Sequence, residues 1–194
     1  MEQGSQLEIK MKENLEMSPW GEKKLVFGEG AAAPLLMMVG EAPGGDEEKQ
    51  GKPFVGKAGK NLSAFLDVIG LKREEIYISN VVKLRPTKRS PKTGKAVNRP
   101  PSKEEIQFFL PYLAEEIMLI SPKIIVTLGN VPLKAVTGDK KSNIGDAHGR
   151  PVPLGEDRAL FPLYHPAAII YNRSLSQVYQ EDLLKLKAFL TSFS

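Results

Sequence analysis

The stretch LLMMVGEAPGGDEE, residues 35–48, decides the fold expected of this chain. Its apolar run, residues 35–39, predicts a buried strand, and the glycine-rich segment after it predicts a loop at the carboxyl end of that strand. Glu41 is the first carboxylate of this loop. Open α/β sheets bind ligands at the carboxyl ends of their strands, so we interpret the loop as the start of a functional site. Its glycines leave backbone N–H groups accessible to a ligand.

Around this stretch the hydrophobic pattern alternates between strand and helix. The predicted strands lie at residues 25–27, 35–39, 77–82, 123–128 and 159–164, and the predicted helices at 6–17, 58–69, 102–120, 130–138 and 176–193. A capping box at Ser102 opens the third helix, whose predicted apolar face is Ile106, Phe109, Leu110, Leu113, Ile117 and Ile120. The alternation predicts a parallel sheet with helices on both faces. We expect one domain over residues 1–194, with residues 1–23 as a variable N-terminal segment.

Composition narrows the class of protein. The chain has 194 residues, of which 41% are hydrophobic and 26% charged, as in ordinary globular proteins. No apolar run reaches the about 18 residues of a membrane helix, and no signal-peptide pattern is visible, so we expect no membrane partner and a cytoplasmic location. The chain has no cysteine, which excludes disulfides, a thiol nucleophile and thiolate-bound metal clusters. Two histidines without cysteine do not indicate a metal site.

Positive charge is concentrated in one segment. Residues 83–103 contain eight Lys or Arg and no acidic residue, whereas the net charge of the whole chain is only +4. The prolines and glycine of residues 85–101 predict an irregular loop. Such a loop suits contact with a phosphate backbone, and a solvated loop is the alternative. The unbroken positive charge favours nucleic acid.

Four candidate site residues stand at or just after predicted strands or in glycine-framed loops: Glu41, Phe54, Asn80 and His165. The carboxyl ends of parallel strands share one edge of a sheet, so these four residues are expected to converge. A phosphate-binding function of residues 40–45 is only weakly indicated, because the loop has neither the P-loop nor the dinucleotide-binding glycine pattern and its acidic residues would repel phosphate. The acidic run at 46–48 and His148 are expected to be solvated.

Each candidate has a functional and a structural interpretation. Glu41 suits a general base, and the alternative is an exposed turn carboxylate. His165 suits donation of a hydrogen bond to a leaving group, and the alternative is a structural histidine. Phe54 suits stacking on a flat ligand, or packing back onto the core. The amide of Asn80 offers a donor and an acceptor in one plane, as a pyrimidine edge requires, or it caps a turn.

The ordered motifs resemble those of the uracil-DNA glycosylase superfamily, in particular its family 4. They are GEAPG at 40–44, GKPFVGKAG at 51–59, YISNVVK at 77–83 and HPAA at 165–168, with VFGEG at 26–30 and PKIIVTLG at 122–129. The resemblance covers nearly the whole chain beyond residue 24. It implies a three-layer α/β/α sandwich around a four-stranded parallel sheet, and hydrolysis of the bond between uracil and deoxyribose in DNA during base-excision repair.

The resemblance also implies a role for each residue. Glu41 would activate water and stabilise the cationic sugar, and His165 would stabilise the uracil anion. Uracil, flipped out of the duplex, would stack on Phe54 and meet Asn80 and the loop at Gly40 and Ala42. Lys83, Arg85, Lys88 and Arg89 would contact DNA. The segment after His165 resembles the minor-groove loop of the family, which adds Ala167, residues 169–173 and, among them, Arg173.

One departure from the family concerns the iron–sulfur cluster that its members carry on four cysteines. Leu84 and Phe109 occupy the third and fourth cysteine positions, and the region of residues 13–18 lacks the other two. We therefore expect no cluster, and packing in its place. Residues 83–103 also lack the histidine by which a related subgroup crosslinks to DNA, which predicts ordinary turnover. The expected partner is uracil-containing DNA, bound by a monomer; the alternative is a catalytically weak DNA-binding protein with the same fold.

Overall fold

The computed structural model describes residues 2–172 and 174–193. Among them the helices are α1 (Glu2–Glu16), α2 (Gly45–Gln50), α3 (Lys57–Ile69), α4 (Lys103–Ile120), α5 (Asn130–Thr137), α6 (Ile144–Ala147), α7 (Pro166–Tyr171) and α8 (Leu175–Thr191). The strands are β1 (Glu29–Gly30), β2 (Leu36–Gly40), β3 (Tyr77–Asn80), β4 (Thr87–Arg89), β5 (Ala96–Asn98), β6 (Ile124–Leu128), β7 (Val152–Leu154) and β8 (Arg158–Leu163). A short 3₁₀ helix, Arg73–Glu75, precedes β3.

The central sheet has the order β1-β3-β2-β6-β8-β7. Its four middle strands, β3, β2, β6 and β8, are parallel, as expected of the fold class. The structure adds two short antiparallel edge strands that the sequence pattern did not predict, β1 beside β3 and β7 beside β8. The strand predicted at residues 25–27 is wrong. That segment makes one bridge, Leu25 to Leu84, and Val26 N–H donates to the Lys83 carbonyl at 2.7 Å.

The strand β2 is apolar throughout because both of its faces are buried. Leu36 and Met38 face the hydrophobic cluster formed with α3 and α8, and Met37 and Val39 face the cluster formed with α1, α4 and α5. Helices therefore cover the sheet on both sides, which confirms the α/β class. The chain leaves β2 towards β3 on one side and later adds β6 on the other. The carboxyl end of β2 is thus a topological switch point, where such folds bind ligands.

The helix termini follow their sequence signals. Ser102 caps α4, its hydroxyl accepting the Glu105 N–H at 3.2 Å, while the Glu105 carboxylate accepts the Ser102 N–H at 2.7 Å. Gly70 ends α3 in the left-handed conformation, with φ of 77°. Leu110, assigned to the apolar face of α4, is 37% exposed, so that assignment is wrong. The face it was placed on is continued instead by the buried Tyr112.

The segment at 85–101 is not irregular. It forms a two-stranded antiparallel hairpin, β4–β5, in which Thr87 pairs with Asn98 and Arg89 with Ala96. Arg99 anchors the base of the hairpin to α4, because its guanidinium donates two bonds of 2.7 Å to the Glu105 carboxylate. We call this unit, residues 87–98, the basic hairpin. Prolines had suggested a loop, but here they lie outside the paired residues.

Leu84 and Phe109, which were expected to replace a cluster by packing, are fully buried in the same hydrophobic cluster. Leu7, Met11 and Leu15 of α1 belong to that cluster as well. The N-terminal segment is therefore packed on the body of the protein, and the Asn14 side chain donates to the Tyr112 hydroxyl at 2.7 Å. No helix within residues 2–172 and 174–193 is long and apolar enough to cross a membrane.

Candidate active site

A pocket of about 330 Å³ lies at the carboxyl ends of the parallel strands. Its lining includes Ala42, Phe54, Asn80, Asn98, His165 and Ala167. A larger depression of about 460 Å³ lies at the opposite end of the sheet, beside Lys123 and Arg158 at the starts of β6 and β8. We place the candidate site in the smaller pocket because the polar groups from several strand ends converge there.

Gly40 forms the tightest part of this site. It pairs with Asn80 across β2 and β3. A Cβ atom at residue 40 would collide with the Asn80 amide oxygen and would lie 2.6 Å from the ring of Phe54. Only glycine therefore allows the Asn80 side chain and the Phe54 ring to meet over the end of β2. The sequence placed these residues in one site, and the structure brings them together.

Phe54 adopts a strained backbone conformation, with φ of 51°. Two features hold it there. Arg73 donates from its guanidinium to the carbonyl of Phe54, at 3.2 Å, and to the carbonyl of Pro53. Gly59 leaves space for the Phe54 carbonyl, which a Cβ at residue 59 would strike. The ring centroid lies 6.1 Å from that of His165, with 32° between the ring planes. The rings of Phe54 and His165 thus form one aromatic face of the site.

Asn80 is 3% exposed, yet its side-chain amide has no hydrogen-bond partner among the described residues. The Asn80 side chain lines the pocket, so both polar atoms of its amide are available to a ligand. The main chain around it is firmly held, because the Asn80 carbonyl accepts from Lys83 Nζ at 2.7 Å.

Lys83 does not reach DNA, and its assignment as a DNA contact is wrong. The side chain is fully buried behind the site, and its ammonium pairs with the Glu116 carboxylate at 2.6 Å. Ser79 and Tyr77 donate to the same carboxylate. This network lies below the strand end that carries Asn80, where a phosphate has no access.

Glu41 follows β2 and is half-buried. Burial raises the pKa of the Glu41 carboxyl above its ordinary value. Within the part of the chain that the structure describes, no group donates a hydrogen bond to this carboxylate. Its main chain is fixed, since the Glu41 carbonyl accepts the Val82 N–H at 3.0 Å. A held main chain with an unpaired carboxylate is what a water-activating group requires.

His165 follows β8 and caps the N-terminus of α7. Its Nδ1 accepts the Ala167 N–H at 3.1 Å, so the neutral ring carries its proton on Nε2. Burial lowers the pKa of the His165 imidazole, which favours that neutral form. The ring lines the pocket and can donate from Nε2 without carrying charge.

Three polar residues of the site were not recognised from the sequence: Glu47, Arg73 and Asn98. Glu47 was expected to be solvated, but it is 8% exposed and its carboxylate accepts from Gly56 N–H at 2.8 Å and Gly44 N–H at 3.2 Å. It therefore joins the loop after β2 to the loop that carries Phe54. Glu47 stands three residues after the N-cap Gly44, which is the spacing of the Glu half of a capping box, but glycine has no side chain to complete the motif. Arg73 and Asn98 have no comparable signal.

The other predicted DNA contacts differ in their surroundings. Lys88 and Arg89 are exposed on β4. Arg85 is largely buried, and its guanidinium pairs with the Glu48 carboxylate at 3.0 Å. This ion pair supports the rim of the pocket. Ala167 lines the pocket, and Arg173 lies outside the described residues.

His148, expected to be solvated, pairs instead with the buried Asp182 at 2.6 Å. No cluster of His and acidic residues suited to a metal occurs within residues 2–172 and 174–193.

The fold and the pocket define an α/β protein with a candidate site at the carboxyl edge of its sheet, whose lining suits a flat, polar ligand. Comparison with known proteins gives the family. The model of the uracil DNA glycosylase superfamily matches residues 27–187. The chain belongs to the uracil-DNA glycosylase superfamily.

Similar proteins extend over most of the chain. A type-4 uracil-DNA glycosylase of Sulfurisphaera tokodaii is 40% identical over 169 residues, which cover 84% of this chain and 73% of that protein. One from Thermotoga maritima is 37% identical over 168 residues, 86% of this chain and 83% of that protein. A DNA polymerase of Bacillus phage SP01 is 31% identical over 168 residues, only 17% of its length.

Proposed function

We propose that this protein hydrolyses the N-glycosidic bond of uracil in DNA, the first step of base-excision repair, with water as the nucleophile. The observation that carries the proposal is the convergence of an aromatic ring, an unpaired amide and a neutral histidine on one pocket. The similarity to type-4 uracil-DNA glycosylases over most of the chain supports the same activity.

The pocket suits uracil by its hydrogen-bonding pattern. Uracil presents a donor at N3 and an acceptor at O4, so the Asn80 amide can accept from N3–H with Oδ1 and donate to O4 with Nδ2. Cytosine presents the opposite pattern and would leave a buried amide facing like groups. Uracil stacks on Phe54, and the backbone of Gly40 and Ala42 closes the end of the pocket. A base reaches such a pocket only when its nucleotide is flipped out of the stack.

The roles of His165 and Glu41 follow from the charges that develop as the glycosidic bond breaks. As the glycosidic bond breaks, its electron pair leaves with uracil and positive charge develops on the deoxyribose. His165 Nε2–H donates to the uracil anion, and its neutral state adds no positive charge beside the cationic sugar. The Glu41 carboxylate stabilises the sugar cation and takes a proton from the water that attacks the sugar carbon. Both residues act only when their protonation states are correct.

DNA would be held by the exposed cations of the basic hairpin, Lys88 and Arg89, and by the segment after His165. Ala167 lies at the rim of the pocket, and Arg173 is included on the family pattern alone. We propose that no resident cofactor takes part, because the chain has no cysteine to ligate an iron–sulfur cluster. That the protein works as a monomer in the cytoplasm stays a prediction.

The test is uracil release from an oligonucleotide with a single deoxyuridine. We expect release by the wild-type protein at an unchanged rate in the presence of a chelator. Replacing Glu41 or His165 by Ala should slow release by at least about a hundredfold. DNA binding without release by the wild-type protein would instead favour the alternative, a damage-recognition protein that retains the fold.

A further inference from the structure

The basic hairpin contributes a side chain to the pocket. Asn98, the last residue of β5, lines the pocket together with Phe54, Asn80 and His165. The sequence had indicated only that this segment suits contact with a phosphate backbone. One of its uncharged residues therefore lies where the reacting nucleotide would be.

The Asn98 amide is held in a defined orientation. Arg85 Nε donates to Asn98 Oδ1 at 2.7 Å, and Arg85 is itself fixed by Glu48 Oε2 at 3.0 Å. With its oxygen occupied, the amide presents its Nδ2 donor to the pocket. A Cβ placed on Gly44 would lie 3.5 Å from Nδ2, so the donor stands over the loop that follows Glu41. Among the described residues, no group accepts from Nδ2.

We propose that Asn98 is a substrate-contacting residue, whose Nδ2 donates a hydrogen bond to a sugar or phosphate oxygen of the flipped deoxyuridine nucleotide. The inference rests on the proposed function. Uracil occupies the inner part of the pocket, between Phe54 and Asn80, so the deoxyribose and its phosphates lie towards the rim that Asn98 forms. When the basic hairpin binds DNA, Asn98 would then contact the flipped nucleotide in the same step.

Asn98 would make this contact only with a flipped nucleotide, so its loss should weaken binding and excision of uracil-containing DNA and leave binding of undamaged DNA unchanged. We expect Asn98→Ala to slow single-turnover uracil excision by about tenfold, because the hydrogen bond to the sugar or phosphate oxygen of the flipped nucleotide is lost. Affinity for a duplex with a cleavage-resistant 2′-fluorinated deoxyuridine should fall by a similar factor. Affinity for the same duplex without uracil should not change.

Two further variants sharpen the test. Asn98→Asp keeps the acceptor for Arg85 but replaces the donor by a negative charge, so excision should fall at least as far as in Asn98→Ala. Val97→Thr is the control, because Val97 is the neighbouring strand residue and points away from the pocket lining. It should excise uracil at the wild-type rate. Thermal unfolding of each variant establishes that it is folded.

Three results would overturn the proposal: wild-type excision by Asn98→Ala, full activity of Asn98→Asp, or an equal loss of affinity for damaged and undamaged DNA. The last result would make Asn98 a general backbone contact. Failure of the wild-type protein to release uracil would contradict the proposed function itself, and that measurement is independent of the Asn98 variants.

Discussion

At the scale of single residues, the site depends on two groups whose pKa values are shifted by burial, in opposite directions. Burial raises the pKa of the Glu41 carboxyl and lowers the pKa of the His165 imidazole. The active form pairs an ionised Glu41 with a neutral His165, and both states are favoured by raising the pH. Activity should therefore be lost on the acid side.

We predict that single-turnover excision falls as the pH is lowered through the raised pKa of Glu41, with the inflection above the ordinary value of about 4.3. At higher pH the rate should reach a plateau, once Glu41 is ionised and His165 is neutral. Glu41→Gln should remove this inflection as well as most of the rate. An inflection that persists in Glu41→Gln would assign the acid limb to another group.

Arg73 holds Phe54 in its strained backbone conformation through hydrogen bonds to the carbonyls of Phe54 and Pro53. A residue in the left-handed region costs about 1–3 kcal/mol, which its surroundings must offset. We predict that Arg73→Ala weakens binding of the fluorinated uracil duplex about tenfold or more, since the ring is no longer held as a stacking surface. Arg73→Lys should recover part of the loss. Undiminished binding by Arg73→Ala would show that the core alone positions the ring.

At the scale of elements, the basic hairpin is an arm fixed at its base by Arg99 and Glu105. We predict that the double variant Lys88→Ala/Arg89→Ala reduces the slope of log affinity against log salt by about two, one unit for each lost phosphate contact. Lys123→Ala/Arg158→Ala removes the same charge at the opposite end of the sheet and serves as the control. Equal slopes for the two double variants would assign the hairpin charges to solvent.

A second element-scale prediction concerns the buried cluster under the hairpin. Leu84 is fully buried beside α1 and α4. Leu84→Ala should lower the free energy of unfolding by about 2–5 kcal/mol, measured by urea denaturation, because the cavity left in a packed core is not refilled. Leu184→Ala, at a position 58% exposed on α8, should cost less than about 0.5 kcal/mol.

At the scale of the whole molecule, a buried ion pair connects the sheet to α4 directly behind the site. Lys83 and Glu116 are both almost inaccessible to water, with Ser79 and Tyr77 completing the network. We predict that Lys83→Met destabilises the protein by about 3–5 kcal/mol, because it leaves the Glu116 charge buried and unpaired. Lys83→Met/Glu116→Leu should recover much of this stability in thermal or urea unfolding. No recovery would mean that the hydrogen bond to the Asn80 carbonyl, rather than the ion pair, is the essential contact.

Much of the architecture was accessible from the sequence. The apolar run of β2 and the loop after it predicted a buried parallel strand with a site at its end, because an apolar period and glycine punctuation are local signals. The capping box at Ser102 and the stop at Gly70 are local for the same reason. Phe54, Asn80 and His165, which line the pocket, stand at or just after a strand or in a glycine-framed loop, and this local signal drew attention to them. Glu41 carried the same signal but is not among the residues that line the pocket.

Only the tertiary structure decided which polar groups are free and which are used. Lys83 belonged to a positive run in the sequence, yet its ammonium is buried against Glu116, a residue of a distant helix. Asn98 and Arg73 carried no local signal, because their partners lie across loops that meet only in the folded chain. Hydrogen bonds between residues far apart in the sequence leave no periodic pattern from which they could be predicted. The apolar pattern and the glycines thus determined where the site lies, and long-range contacts determined which side chains face it.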